Sequence, residues 1–200
     1  MSKSPLRLPL SRVDNLARRI IYELSPVCEP GYCLAAGSLR RNCTTVGDIE
    51  LVVIPRLAAS LIPDVPGDSL LELELNAWVR QGRLLKAGKN NGDLLKKYYI
   101  PALGYDFKLE INISSLSRWA VELAIKTGPA DFSHRLVVPR NKPIRPGVYG
   151  LLPSNWRICN GWEVWEQPGN GATRQRVPFE SERDFIEAVC GRWIEPRDRN

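Results

Sequence analysis

The sequence has little of what builds zinc clusters or membrane spans. It contains one histidine, His134, and five cysteines without a Cys-x-x-Cys pair, which argues against a zinc site of the usual ligand spacing. The odd number and wide spacing of the cysteines predict reduced thiols in a cytoplasmic protein. No run of roughly eighteen apolar residues occurs, and the proline-containing N-terminus does not resemble a signal peptide. Neither a membrane span nor secretion is therefore expected.

What the sequence does have is an ordinary globular composition with a basic balance. Its 200 residues are 44% hydrophobic and 25% charged, and the formal net charge is +6. This length can form one domain or two small ones, and we expect a boundary near Ser115 that separates residues 1–115 from residues 116–200. A basic balance favours an anionic partner, of which nucleic acid is the commonest.

Periodicity predicts a mixture of helices and strands. Apolar spacing of three and four residues predicts helices over 11–24, 70–79, 116–127, 131–138 and 181–190. Ser11 with Asp14 resembles a capping box at the first of these helices. Apolar or alternating runs predict strands over 32–36, 49–54 and 107–113, and Asn91-Gly92 and Asn160-Gly161 predict hairpin turns within 83–100 and 155–166. The expected fold is α/β in the broad sense (α+β), with a mixed β-sheet and flanking helices followed by a small α+β unit.

Two acidic residues, Asp48 and Glu50, lie at the start of the strand predicted over 49–54. Because side chains alternate along a strand, both point to one face, while Ile49, Leu51 and Val53 face the core. Carboxylates held side by side repel each other unless a cation lies between them, and oxygen donors suit Mg²⁺. A solvated pair of acids explains the same pattern, so Asp-x-Glu alone does not assign a site.

The residues before this strand indicate a phosphate site. Gly37-Ser38 follows a predicted strand and opens a short helix, where a glycine lets backbone amides approach a phosphate closely. Arg40 and Arg41 follow, and the forked guanidinium of arginine binds phosphate oxygens. A phosphate cradle ahead of paired carboxylates fits a nucleoside triphosphate with its metal ions.

In this order, Gly37-Ser38-Leu39-Arg40-Arg41 and Val46-Gly47-Asp48-Ile49-Glu50 resemble the nucleotidyltransferase signature of family X (polymerase β-like) DNA polymerases. The family has a third carboxylate on a neighbouring strand, and Glu110 fits because it alternates with the core-facing residues of 107–113. Thr127-Gly128 resembles the pair that precedes a helix of the family's thumb.

The resemblance covers most of residues 30–200 and implies a minimal palm-and-thumb form without the family's lyase domain. It implies a nucleotidyltransferase palm with an N-terminal helix over 1–115 and a thumb-like domain over 116–200. The implied reaction adds a dNMP to a primer 3′-hydroxyl and releases pyrophosphate, in short-gap or primer-end DNA synthesis or repair. The implied partners are primer-template or gapped DNA and a dNTP, with the protein as a monomer.

The resemblance also implies roles for individual residues. Asp48, Glu50 and Glu110 would hold two Mg²⁺ ions, with Mn²⁺ as a substitute, and Glu110 would lie near the primer hydroxyl as its proton acceptor. The residues implied to bind the nucleotide are Gly37, Ser38, Arg41, Gly47, Gly128 and Ser133.

Some positions depart from the family's pattern. Glu50 and Glu110 are one methylene longer than aspartate, which changes the reach of each carboxylate. Ile125-Lys126 stands where the family often has an aromatic pair that selects the sugar of the incoming nucleotide. The use of ribonucleotides therefore stays open. Ser133 stands where an asparagine is frequent.

Basic and aromatic side chains outside these motifs are further candidates for contact with DNA. Trp156 and Trp162 are expected in the core, whereas Trp165 points the other way by alternation and is the candidate for stacking on a base. A solvated surface explains the basic residues as readily as contact with a nucleic-acid backbone does. The basic candidates are Lys96, Lys97, Arg135 and Arg140.

Two other functions stay open at the level of the sequence. The same fold can transfer a nucleotide without a template to RNA, a protein or a small molecule. It can also bind DNA as a module that has lost turnover, although three converging acids have no physical purpose in such a protein.

Overall fold

The computed structural model describes residues 6–59, 67–88, 92–159, 161–169 and 172–199. Its helices are α1 (Leu10–Leu24), α2 (Gly37–Arg40), α3 (Leu70–Arg80), α4 (Trp119–Thr127), α5 (Ala130–Val137) and α6 (Glu182–Cys190). Its strands are β1 (Leu8–Pro9), β2 (Cys28–Ala35), β3 (Thr45–Val46), β4 (Asp48–Pro55), β5 (Leu85–Lys86), β6 (Leu95–Tyr99), β7 (Lys108–Ile113), β8 (Pro143–Arg145), β9 (Val148–Tyr149), β10 (Trp156–Cys159), β11 (Glu163–Glu166) and β12 (Gln175–Val177).

The chain divides into two compact units, Met1–Ser114 and Ser115–Asn200. Both units combine helices with β-structure, so a mixed α/β architecture is confirmed. Their identities as palm and thumb stay predictions. Within the described residues, no helix is long and apolar enough to cross a membrane.

A five-stranded mixed sheet organises the first unit, in the order β2-β4-β7-β6-β5. Strands β4 and β7 are parallel neighbours at its centre, and the remaining pairs are antiparallel. Ile49, Leu51 and Val53 are fully buried and pack with apolar residues of α1 and α3 in one core. The alternation predicted for this strand is therefore confirmed, because its odd-numbered residues face the helices.

Two helices of the first unit begin in different ways. The predicted helix over 11–24 is confirmed, but α1 begins at Leu10 after Pro9, and the predicted capping box is wrong. Because Ser11 lies inside the first turn, Asp14 instead accepts a hydrogen bond at 2.8 Å from Arg18, four residues on. Helix α3 does have a side-chain cap, since the hydroxyl of Ser69 accepts from the backbone N–H of Glu72.

The second unit has a core of its own, formed by α4, α5 and α6 with the sheet β10-β11-β12. The predicted tryptophan-rich hairpin is confirmed as β10 paired with β11, although Asn160 of its turn lies outside the described residues. Strand β12 and the small β8–β9 pair were not predicted. The predicted turn at Asn91-Gly92 also falls partly outside the described residues, but the flanking strands β5 and β6 do pair.

Candidate active site

Three acidic side chains share one face of the central strands. Asp48 and Glu50 lie on the side of β4 opposite Ile49, and both are half-buried. The parallel register aligns Glu50 of β4 with Glu110 of β7. The antiparallel register on the other side of β7 aligns Glu110 with Lys97 of β6. We call this surface of the sheet, defined by Asp48, Glu50, Glu110 and Lys97, the acid face.

Gly37 touches the acid face at Glu50. The backbone N–H of Ala36 donates to the carbonyl of Glu50 at 2.8 Å, which joins the start of α2 to β4. A Cβ on Gly37 would lie 2.5 Å from Oε2 of Glu50, and Gly37 has a φ of +58°. Glycine is needed here for both reasons, since it accepts a left-handed backbone and leaves room for the carboxylate. Gly37 therefore lies directly against one of the predicted metal ligands.

The other predicted phosphate-binding residues of the first unit surround this point. Ser38 is half-buried within α2, and its carbonyl accepts from the backbone of Cys43 at 3.1 Å. Arg41 ends α2, with its backbone N–H donating to Gly37 at 3.2 Å. Gly47 joins β3 to β4, immediately before Asp48. The structure thus places both halves of the sequence motif at one end of β4.

The acids are close enough for their charges to interact. Burial raises the pKa of Asp48, and the negative charge of Glu110 raises it further. Lys108, Arg7 and Lys97 oppose this increase in the pKa, because each positive charge favours the ionised form of Asp48. A cation between the acids would relieve the same repulsion.

Arg7 is a neighbour of this site that the sequence motifs do not contain. Its Nε donates to the Thr45 hydroxyl at 3.1 Å, and its Nη2 donates to the Thr45 carbonyl at 2.6 Å. These two bonds fix the guanidinium so that Nη1 would lie 3.4 Å from a Cβ on Gly47. Arg7 reaches this place because β1 pairs with β3, a contact across 38 residues of chain that no local pattern indicates.

The donor set fits a divalent cation only in part. Asp48 and Glu50 provide carboxylate oxygens of the kind that Mg²⁺ prefers. Nζ of Lys97, however, lies 3.0 Å from Oε1 of Glu110 and forms an ion pair with that carboxylate. Within the described ranges, no three acidic, cysteine or histidine side chains converge closely enough to hold an ion. In the predicted roles, Asp48 and Glu50 would hold the cation, and Glu110 would join them after leaving Lys97.

The predicted sugar- and base-facing residues belong to the second unit and contact each other. The Ser133 hydroxyl donates to the carbonyl of Ile125 at 2.5 Å, near the end of α4. A Cβ on Gly128 would lie 2.6 Å from the Ser133 Oγ, so glycine is required for this close approach. The bond orients Ser133 and leaves the lone pairs of its oxygen available to accept a hydrogen bond.

The four basic candidates lie in different environments. Lys96 is only 7% exposed, because alternation turns it to the core side, where its Nζ bonds Glu72 of α3 at 3.0 Å. This leaves Lys96 little surface for a phosphate. Lys97, one residue later, lies on the acid face and pairs with Glu110. Arg135 donates to the carbonyl of Tyr149, and Arg140 donates to the carbonyls of Leu151 and Val189, so both also fasten the fold of the second unit.

Two tryptophans of the hairpin follow the predicted alternation, because the register of β10 with β11 puts Trp156 and Trp165 on opposite faces. Trp156 and Trp162 pack against the core of this unit, and Trp156 meets Phe179 edge-on at a centroid distance of 5.7 Å. Trp165 is half-buried, and its Nε1 is shielded from water without a hydrogen-bond partner in the described part of the chain. Stacking of Trp165 on a base stays a prediction.

Comparison with known proteins gives no match for this chain, either among protein-family models or among curated proteins. The assignment of a function therefore depends on the residues of the site itself.

Proposed function

We propose that the protein is a Mg²⁺-dependent DNA nucleotidyltransferase of the family X type, which adds a dNMP to a primer 3′-hydroxyl and releases pyrophosphate. In this proposal the first unit is the palm and the second is the thumb. One observation carries it: Asp48, Glu50 and Glu110 occupy neighbouring positions on one face of two parallel strands, and Glu50 lies against the glycine that starts α2. This arrangement supports a triphosphate and its cation meeting at the same end of β4.

Each residue of the site has a distinct task in this reaction. Asp48 and Glu50 would hold Mg²⁺, which supplies positive charge to stabilise the negative charge of the transferring phosphate. Glu110, once released from Lys97, would accept the proton of the primer hydroxyl. Ser38, Arg41 and the backbone at Gly37 and Gly47 would bind the triphosphate. Gly128 and Ser133 would contact the sugar and base.

A second candidate function is a DNA-binding module without turnover. The ion pair between Lys97 and Glu110 favours it, because the ammonium occupies one oxygen of Glu110 and its positive charge opposes a cation at that place. Against it stands the raised pKa of Asp48, since burying an acid beside another acid weakens the fold and is not needed for binding DNA.

Extension of a labelled primer across a one-nucleotide gap tests the proposal. The reaction would contain all four dNTPs and Mg²⁺, with the Asp48→Asn protein in parallel and a template-free primer as a further substrate. We expect template-directed addition by the natural protein and none by the variant. Addition without a template would indicate another acceptor class. Tight, salt-sensitive binding of DNA without pyrophosphate release would indicate the binding module.

A further inference from the structure

The edge strand β2 contains an irregularity that changes the spacing of two cysteines. Cys33 is aligned with Val53 of β4, and Cys28 is aligned with Pro55. Five steps along β2 therefore correspond to two steps along β4, and the residues between the cysteines bulge out of the ladder. Glu29, Pro30 and Gly31 in this bulge are exposed, and Gly31 has a φ of +84°.

The bulge brings the two cysteines onto one face and close together. In a regular strand, residues five apart point to opposite faces and lie about 16 Å apart. Val53 and Pro55 are two apart, so they share a face and lie about 6.7 Å from each other. Cys28 and Cys33, as their partners in the ladder, take the same face and a similar separation. That separation is within the range of Cα distances that a disulfide spans, roughly 4.4 to 6.8 Å.

The two thiols have unequal surroundings within the core of the first unit. Cys28 is 1% exposed and Cys33 is 6% exposed, and the Cys33 Sγ donates to the carbonyl of Ile21 at 3.9 Å. Interaction with the neighbouring Cys33 thiol raises the pKa of Cys28, and burial raises it further. The same interaction lowers the pKa of Cys33 against the opposing effect of burial, with help from Ser25. Cys33 is thus the thiol that more readily forms a thiolate and is the less buried of the two.

We propose that Cys28 and Cys33 form a dithiol site that hydrogen peroxide converts into a disulfide within β2. The thiolate of Cys33 attacks one peroxide oxygen, the O–O bond breaks, and hydroxide leaves, which gives a sulfenic acid. The sulfur of Cys28 then attacks the Cys33 sulfur, the S–OH bond breaks, and water leaves with the Cys28 proton. In total, two thiols are oxidised to one disulfide and one peroxide is reduced to two waters. Hydrogen peroxide is small, as an oxidant for a residue that is only 6% exposed must be.

This site is separate from the acid face. Cys33 shares the face of Val53, which packs in the core, whereas Asp48 and Glu50 lie on the opposite face of β4. The disulfide would close a short loop around the exposed bulge and join two points of the same edge strand. We expect it to raise the melting temperature of the protein by roughly 5 °C, because it restricts the unfolded chain.

The arrangement of trypsin sites makes the test direct. Cleavage after Arg19 and Arg40 releases residues 20–40 as one peptide, which contains Cys28 and Cys33 and no other cysteine. The folded protein would be treated with hydrogen peroxide, quenched with catalase, denatured in N-ethylmaleimide, digested and weighed by mass spectrometry. We expect this peptide to lose both maleimide groups and to be two hydrogen masses lighter than the reduced peptide. Dithiothreitol before alkylation should restore both groups.

Two controls keep the interpretation specific. Cys159→Ser removes a cysteine of the second unit and should leave formation of the disulfide unchanged. The same treatment in guanidinium removes the folded alignment and should abolish the selectivity for this peptide. The proposal is overturned if the folded natural protein keeps both maleimide groups on residues 20–40, or if the linkage forms only in guanidinium. These readouts do not depend on any nucleotidyltransferase activity.

Discussion

The two faces of the five-stranded sheet differ in character although their residues alternate along the same strands. On one face, Ile49 and Leu51 are fully buried against helices. On the other, Asp48 and Glu50 are half-buried beside Glu110, and positive charges oppose the raised pKa of Asp48. In the proposed enzyme, side chains one residue apart therefore serve stability on one face and chemistry on the other. Substitutions on the two faces should fail in different assays, which makes the comparison testable.

The largest expected difference is between Asp48→Asn and Leu51→Ala. Asp48→Asn should lower the rate of nucleotide addition by at least about a thousandfold, because a charged ligand of the cation is lost. It should not weaken the fold: burial and Glu110 raise the pKa of Asp48 on folding, so its ionised form destabilises the native state at neutral pH, and asparagine removes that effect. Leu51→Ala should lower the free energy of unfolding by roughly 2 to 5 kcal/mol.

Urea unfolding and gap-filling rates, measured on both variants, check this pair of predictions. The activity of Leu51→Ala should be compared with that of the natural protein without urea, at a temperature at which the variant is folded. Full activity of Asp48→Asn would show that the acid face is not the catalytic site. A loss of stability in Asp48→Asn would show that this carboxylate supports the fold.

Gly37→Ala should affect both properties to an intermediate degree. The left-handed backbone costs about 1 to 2 kcal/mol with a side chain, and the new Cβ would displace the carboxylate of Glu50. Displacement of a ligand by about an ångström should lower the rate by roughly a hundredfold. Gly82→Ala is the matched control, because Gly82 has a φ of +70° and nothing near its missing Cβ. If both variants lose equal stability and equal activity, Gly37 has only a backbone role.

Arg7→Ala tests whether the acid face has a cationic rim that contacts substrate. Nη1 of Arg7 lies beside Gly47, while its Nε and Nη2 are held by Thr45. Loss of a charged hydrogen bond to a phosphate should weaken binding of a non-hydrolysable dNTP analogue about tenfold, as measured by calorimetry with Mg²⁺. Arg12→Ala, an exposed arginine on α1, should bind like the natural protein. Equal affinity of the two variants would mean that Arg7 does not contact the substrate and only holds β1 against β3.

The sequence is sufficient to predict which residues form the core face of the sheet, and it predicts part of the acid face. Alternation placed Asp48, Glu50 and Glu110 on one side of their strands, because each motif lies within a single regular element. The prediction of a capping box at Ser11 was wrong because α1 begins at Leu10, which puts Ser11 inside the first turn. Arg7 was missed because its position depends on pairing between two-residue strands far apart in the chain. The partners of Lys96 and Lys97 depend equally on sheet register, which composition does not encode.

The smallest expected effects come from these two lysines, which are adjacent in sequence but lie on opposite faces of the sheet. Lys97→Met removes the ammonium that lies 3.0 Å from Glu110 and so frees this carboxylate for a cation. We expect Mg²⁺ to bind a few times more tightly, since a partly exposed ion pair contributes up to about 1 kcal/mol. Lys96→Met keeps the buried stem of the side chain and loses only its bond to Glu72, so Mg²⁺ affinity should not change.

Calorimetric titration with Mg²⁺ at about pH 8, where carboxyl groups are ionised, measures both lysine variants under one condition. Urea unfolding of the same samples should show a change within about 1 kcal/mol for each. Tighter Mg²⁺ binding by Lys97→Met alone would mean that Lys97 competes with the cation for Glu110. Weaker binding by Lys97→Met would mean instead that Lys97 orients Glu110 toward the cation, and the ion pair would then belong to the assembled site.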